Sequence, residues 1–244
     1  SLRSNLTTIV TRLCLDQLKS AHAQREQNIG PWLPEPIAMS AMPGTSTPES
    51  VVQAQESISY AFLVLLERLA PVERAVFLLR EVFDYGYDEV ANMVGKSQAA
   101  CRQIFHRARQ RLDEARPRYE ADRAERTRLT ERFIAATTSG DMQDLVSILA
   151  NDITLWSDGG GKVSAAMNLI RGAQPSAALV IGLASKTAFE YEYASIAISD
   201  INGEPAVVLR NPTGGITNVV MFEVVDGRIQ QLFIVRNPDK LSHV

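Results

Sequence analysis

The residues best suited to chemistry form a basic run late in the first half of the chain. From Lys96 to Arg118 there are seven Lys or Arg and two Asp or Glu. Placed on a helix at about 100° per residue, Ala99, Arg102, Gln103, His106, Arg107 and Gln110 share one face. Cys101, Ile104, Phe105, Ala108 and Leu112 share the other. An arginine can donate two hydrogen bonds to guanine, and a glutamine amide can pair with adenine. Lys96, Arg109 and Arg111 flank that face and suit phosphates, which position a protein without specifying sequence. Ala99 keeps the start of the helix slim, and Ser97 is an N-cap candidate. The bland reading is a solvated basic helix, strongest for Arg111, Arg116 and Arg118, and it extends to His106. Such a face can also meet a protein.

Other chemistries find less support. Cys14 and Cys101 stand far apart with no Cys-x-x-Cys, and His22, His106 and His243 are scattered, so neither a metal site nor a cofactor is expected. Asp158-Gly159-Gly160-Gly161-Lys162 holds the best acid–base candidates, Asp158 and Lys162. No histidine lies between residues 129 and 242 to complete a catalytic set. The glycines lack the G-x-x-x-x-G-K-[ST] spacing of a phosphate loop. We therefore expect no enzymatic activity.

The elements that must position these residues follow from patterning. Residues 4–27 read as a helix, with Leu6, Ile9, Val10, Leu13, Leu15 and Leu18 near helical spacing. Residues 28–55 carry five prolines (Pro31, Pro34, Pro36, Pro43 and Pro48) with Gly30 and Gly44, and read as a linker. Within it Trp32-Leu33-Pro34-Glu35-Pro36 is odd, because a free linker rarely exposes Trp and Leu.

Residues 56–126 read as helices. Pro71 suits a first turn, Ala75, Leu78, Leu79 and Val82 form a stripe, and Asp84-Tyr85-Gly86 ends that helix. Tyr87–Val94, a stop at Gly95 and the basic helix from Gln98 have the parts of a helix–turn–helix.

Residues 127–244 change character. Leu129–Thr138 and Asp141–Ala150 read as helical. Ile153–Trp156, Phe189–Ile198, Ala206–Leu209, Val219–Val225 and Ile229–Val235 read as strands. Asn202-Gly203 and Asp226-Gly227 suit hairpin turns. This predicts an α+β domain with a mostly antiparallel sheet.

Composition bounds the whole. The chain has 244 residues, is 45% hydrophobic and 22% charged, and carries a net charge of −3. That excludes wholesale disorder and a disulfide scaffold. No run approaches a membrane span, no signal peptide is visible, and unpaired cysteines suggest a cytoplasmic setting. Charge is uneven: Leu129–Val244 holds twelve acidic against eight basic residues. A basic island in an acidic chain marks an electrostatic partner.

At these residues the sequence resembles the bacterial extracytoplasmic-function sigma factors. Leu66–Glu81 is similar to the opening of region 4, Phe83–Ala91 to its F-x-x-x-Y-x-E-I-A run, and Phe105–Arg109 to its hRAR ending. Ile9–Arg25 resembles the last helix of region 2, which in the family helps read the −10 element. Trp32–Pro36, Asp158–Lys162 and Asn237-Pro238-Asp239-Lys240-Leu241 look like three signatures of the subgroup with a fused C-terminal SnoaL-like domain. The core-binding part of region 2 is expected upstream of Ser1, so the chain reads as a fragment.

The resemblance implies four segments. Residues 1–27 end region 2, 28–55 are a linker, 56–126 are the DNA-binding region 4, and 127–244 are a regulatory SnoaL-like cone with a pocket that could hold a small ligand. It implies promoter DNA and core RNA polymerase as partners. Lys96, Ser97, Ala99, Arg102, Gln103, His106, Arg107 and Arg109 are the residues expected on the −35 element. Trp32, Leu33, Pro34, Glu35 and Pro36 are expected to dock near Asp158–Lys162 or Asn237–Leu241, regulating activity in cis. Pro238 would fix the backbone there, with Asp239 and Lys240 offering opposite charges. Two rivals remain: a ligand-responsive DNA-binding regulator, and a SnoaL-like isomerase or cyclase with a helical appendage.

Overall fold

The computed structural model describes residues 2–25, 30–38, 59–113, 121–190, 195–242 and 244. Pro43, Gly44, Pro48, Arg116, Arg118 and His243 lie outside the described residues. The chain divides into two compact units. One comprises Ser1–Gln27 and Leu63–Arg116, the other Asn28–Phe62 and Pro117–Val244.

In the first unit α1 (Leu2–Arg25) packs with α3 (Pro71–Glu81) and α4 (Tyr87–Val94), and α5 (Gln98–Asp113) packs with those same two helices. The sequence set residues 1–27 apart as a separate segment; the structure joins them to these helices. Thr7 Oγ1 and Tyr85 Oη share a hydrogen bond of 2.8 Å, and Thr11 and Leu15 are buried. Of the apolar stripe read from the sequence Leu15 is buried, but Leu6, Ile9, Val10 and Leu13 are all more than half exposed. A face carrying Thr7, Thr11 and Leu15 at i, i+4 and i+8 makes the packing instead. Local start and stop signals set the shorter helices. Pro71 opens α3, and Glu73 Oε2 reaches back to the Ala70 N–H at 3.0 Å. Glu89 does the same for Gly86 at 3.1 Å, and Gly95 closes α4 at φ 67°, where a Cβ would be strained. The core holds Val76, Leu79, Tyr85, Val90, Ala91, Met93, Cys101 and Ile104.

The second unit is α+β, as expected. Helices α6 (Arg123–Ser139), α7 (Met142–Ile148) and α8 (Ala173–Glu190) accompany six strands. These are β1 (Leu149–Asp158), β2 (Ile170–Arg171), β3 (Ser195–Ile201), β4 (Glu204–Arg210), β5 (Ile216–Val225) and β6 (Arg228–Val235), and α9 (Pro238–Leu241) follows. The sheet order is β2-β1-β6-β5-β4-β3. Among the described residues only the β1–β6 pairing is parallel. The two hairpin turns sit where the sequence placed them, with positive φ at Asn202, Gly203, Asp226 and Gly227.

Three readings need correction. A boundary at 126/127 would cut α6, whose N-cap Asp122 accepts from the Glu125 N–H at 2.8 Å. Leu149 and Ala150 belong to β1 and not to the preceding helix, and Asp141 is that helix's N-cap. Phe189 and Glu190 close α8, so the strand expected over Phe189–Ile198 begins only at Ser195. The alanine-rich run before it favours helix, and Pro175 falls in the tolerated first turn.

Strand β5 is buried almost throughout and so is covered on both faces, whereas β3 at the sheet's edge is mostly exposed. Val220, Phe222, Leu232 and Ile234 join Leu129, Phe133, Leu145 and Val180 in the main core. The alternate residue Phe233 looks to the opposite face, where the Tyr60 ring meets it edge-on at 5.4 Å. Tyr60 opens α2 (Tyr60–Leu66).

Candidate functional site

Two arrangements carry the residues singled out by the sequence. The first is the surface of α5. Cys101, Ile104, Ala108 and Leu112 are buried. Lys96, Ser97, Ala99, Arg102, Gln103, His106, Arg107 and Arg109 are exposed. The predicted face is therefore a real face, open over its length. Ser97 Oγ accepts from the Ala100 N–H at 3.2 Å, which caps the helix.

Two neighbours fix features that the sequence left open. Arg111 pairs with Glu73 at 2.9 Å, so it ties α5 to α3 and is less available to a phosphate than expected. The guanidinium of Arg102 lies over the Tyr87 ring, 5.4 Å from its centroid, and Arg80 lies 5.2 Å from it. Arg80 itself donates to the Tyr85 carbonyl at 2.9 Å. Tyr87 thus restrains a base-reading candidate. Its position in the sequence suggested only the start of a helix.

The second arrangement, within the other unit, brings the three motifs together. Leu33 is fully buried, with Pro34 and Pro36 also buried and Glu35 exposed. The Leu33 N–H donates to Asp158 Oδ2 at 2.9 Å. Lys240 Nζ donates to the Leu33 carbonyl and to the same Asp158 oxygen, both at 2.6 Å. Lys240 Nζ also lies 4.1 Å from the Trp32 ring centroid. The sequence expected Trp32 and Leu33 to dock together. In the structure Leu33 is the fully buried one, while Trp32 is half-buried and covers the ammonium. An aliphatic side chain fills a closed site, whereas the indole is more useful as a lid over charge.

Local backbone chemistry builds the receptor. Asp158 ends β1, and its carbonyl accepts from the Arg236 and Asn237 N–H groups at 2.8 and 3.0 Å. Its Oδ1 accepts from Gly160 at 2.9 Å. Asn237 caps α9 by accepting from the Asp239 N–H at 3.1 Å, and Pro238 occupies the first turn. Gly160 has φ 60°, and a Cβ there would lie 2.4 Å from the Asn237 amide. Gly159 and Gly161 complete the turn, with Lys162 paired to Asp239 at 2.6 Å. Asp239 and Lys240 therefore answer Lys162 and Asp158 within this unit. Leu241 is buried.

Sequence reasoning missed two further holders. Tyr60 Oη donates to the Pro34 carbonyl at 2.7 Å. Burial, and then the negative charge of Asp158, push its phenol well above the usual range. Asn202 receives the far end of the segment: its N–H donates to the Ile37 carbonyl at 2.8 Å, and its Oδ1 accepts from the Ile37 N–H at 3.1 Å. Ala38 then makes a single antiparallel bridge with Ile201. Neither spacing nor composition points to these partners.

Asp158 and Lys162, the best catalytic candidates in the sequence, are thus engaged in holding the polypeptide. Among the described residues no group of three His, Cys, Asp or Glu could hold a metal ion. No helix among them is long and apolar enough to cross a membrane.

Comparison with known proteins agrees with this geometry. The model of the family "Sigma-70, region 4" matches residues 59–112, the span that contains α2 to α5. The "ECF RNA polymerase sigma factor SigJ" of Mycobacterium tuberculosis is 33% identical over 98% of this chain and 78% of its own length. The "Probable ECF RNA polymerase sigma factor SigI" of the same species is 29% identical, with the same shares covered. The crystal structure of the SigJ protein superimposes with a TM-score of 0.75 at 30% identity, covering all of this chain and 83% of that one. With region 4 matched, the helix–turn–helix built, and similarity running through the α+β unit, the chain belongs to the extracytoplasmic-function RNA polymerase sigma factors, as a transcription initiation factor with a C-terminal α+β domain.

Proposed function

We propose that the exposed face of α5 reads the −35 promoter element for core RNA polymerase in the cytoplasm. We further propose that the docked segment from Trp32 to Pro36 regulates that activity in cis. The observation that carries the first part is the division of α5 into a buried apolar face and an open face bearing Arg102, Gln103, His106 and Arg107. A helix of this kind fits a major groove. Lys96 and Arg109 suit phosphates at its margins, and Ser97 and Ala99 leave its N-terminus capped and slim.

The regulatory part rests on the clamp formed by Leu33, Asp158 and Lys240. It grips the connection between α1 and α2 in its first part, closer to α1 in sequence. A gripped connection limits how α1 and the region 4 helices can be presented to a promoter. The α+β unit is accordingly a regulatory part and not a catalytic one, since its Asp158 is enclosed by polypeptide donors.

The test is binding to duplexes selected from a random pool by the wild-type chain. Arg102→Ala should cost about 1–3 kcal/mol on the selected site if the contact is bidentate. Unchanged binding by both Arg102→Ala and Arg107→Ala removes this face from consideration. For regulation, Leu33→Asp, made in a protein that also carries the core-binding part of region 2, should lower promoter-specific transcription in a mixture with core polymerase. Equal output from variant and wild type ends the cis reading.

A further inference from the structure

The α+β unit contains a cavity of about 360 Å³ between the sheet and helices α6 and α8. Its size falls within the ~300–1,000 Å³ of ordinary small-molecule sites. Phe133, Val180, Val207 and Ile234 give it an apolar lining, and none of its described lining residues is charged. Five polar side chains interrupt that lining: Thr137, Thr138 and Ser139 on α6, Ser185 on α8 and Asn218 on β5. Thr138 and Ser139 donate back to the Ile134 and Ala135 carbonyls of their own helix. Asn218 is only 7% exposed. Its Oδ1 and the Oγ1 of Thr137 are both buried, and neither has a hydrogen-bond partner among the described residues.

Buried polar atoms are nearly always satisfied, because an unmade hydrogen bond costs the full desolvation of the group. Two such atoms on one apolar cavity point to a donor that enters from outside the chain. We propose that the cavity binds a small, uncharged, mainly apolar molecule whose hydroxyl group is held by Asn218 and Thr137. A charged ligand would leave its charge unpaired against this lining, at large cost. The same lining supplies no general acid or base, so the site binds and does not catalyse. The proposal stands apart from the promoter reading and is tested without DNA.

Equilibrium dialysis of the full chain against three probes of one shape separates the outcomes. The probes are 2-naphthol, naphthalene and 2-naphthoate. We expect saturable one-to-one binding of 2-naphthol, about two- to tenfold tighter than naphthalene, the range of one net hydrogen bond. No binding of 2-naphthoate is expected. Asn218→Leu keeps the volume and removes the acceptor, so it should bring the two neutral probes to similar affinity. Ala184→Phe, at a half-buried lining position, should weaken both while the far-ultraviolet spectrum stays native. Equal affinity of wild type for naphthol and naphthalene, or naphthol preference retained in Asn218→Leu, overturns the assignment. Naphthoate binding as well as naphthol overturns it also.

Discussion

Tyr60 shows how much one side chain can decide. Its ring packs on Phe233, and its hydroxyl holds the Pro34 carbonyl. Burial and the Asp158 charge raise its pKa, so the docked state favours the neutral phenol. The stability this contributes is fully present below the ordinary tyrosine value of about 10. It is lost as pH rises above that value toward the raised one. Tyr60→Phe keeps the ring and removes the titration. Urea unfolding should therefore show a wild-type-minus-variant stability difference that is flat below about pH 9. Above pH 10 it should shift against the wild type by up to about 1.4 kcal/mol per pH unit. A flat difference through pH 11 contradicts the burial of the hydroxyl. The two thiols offer a second residue-scale check. Cys14 is exposed, while Cys101 is buried in the first unit's core and its thiol is pushed up by burial against an opposing effect of Lys96. A disulfide reagent at pH 7.5 should titrate one thiol quickly and the second only in denaturant. Two fast thiols would show α5 packed differently.

At the scale of elements, the clamp depends on a buried ion pair, the Asp158 side chain having no exposure and Lys240 12%. Replacing only one partner leaves a buried charge without its counter-ion. Lys240→Met should therefore cost about 3–5 kcal/mol of the α+β unit's stability, measured by chemical denaturation. A loss below about 1 kcal/mol would mean that the Leu33 and Gly160 N–H groups alone satisfy the carboxylate. The docked segment can be followed by its indole. In a Trp156→Phe background, Trp32 is the chain's remaining tryptophan. Leu33→Asp removes a buried side chain worth about 1.5–3 kcal/mol and adds a charge beside Asp158, so Trp32 emission should move to the red. An unchanged spectrum would place the indole elsewhere.

For the whole molecule, charge distribution matters more than the net value of −3. An acidic chain binds DNA only through a local basic surface, so affinity should fall with salt according to the few phosphates that α5 meets. Each such contact adds about −0.9 to the slope of log K against log salt. Lys96→Ala should reduce that slope by about one and weaken all sequences alike. Arg102→Ala should instead relax discrimination at one base position. An unchanged slope in Lys96→Ala would remove Lys96 from the phosphate contacts.

The sequence alone determined what depends on near neighbours. The caps and stops of α3 to α5, the two faces of α5 and the two hairpins are all set within a few residues, where spacing and backbone preference act directly. It also marked Trp32–Pro36 and Asp158–Lys162 as unusual, since apolar and glycine-rich runs in connecting segments need a reason, while Asn237–Leu241 stood out through the family resemblance. Only the tertiary structure decided which of these residues meet. Leu33 and Lys240 are joined across 207 positions, and Tyr60, Asn202 and Phe233 carry no mark of their part in that contact. It likewise turned Leu6, Ile9, Val10 and Leu13 outward and placed Asn218 and Thr137 on one cavity. Periodicity reports that a face exists, but which surface covers it is fixed by packing among residues distant in sequence, which no local pattern records.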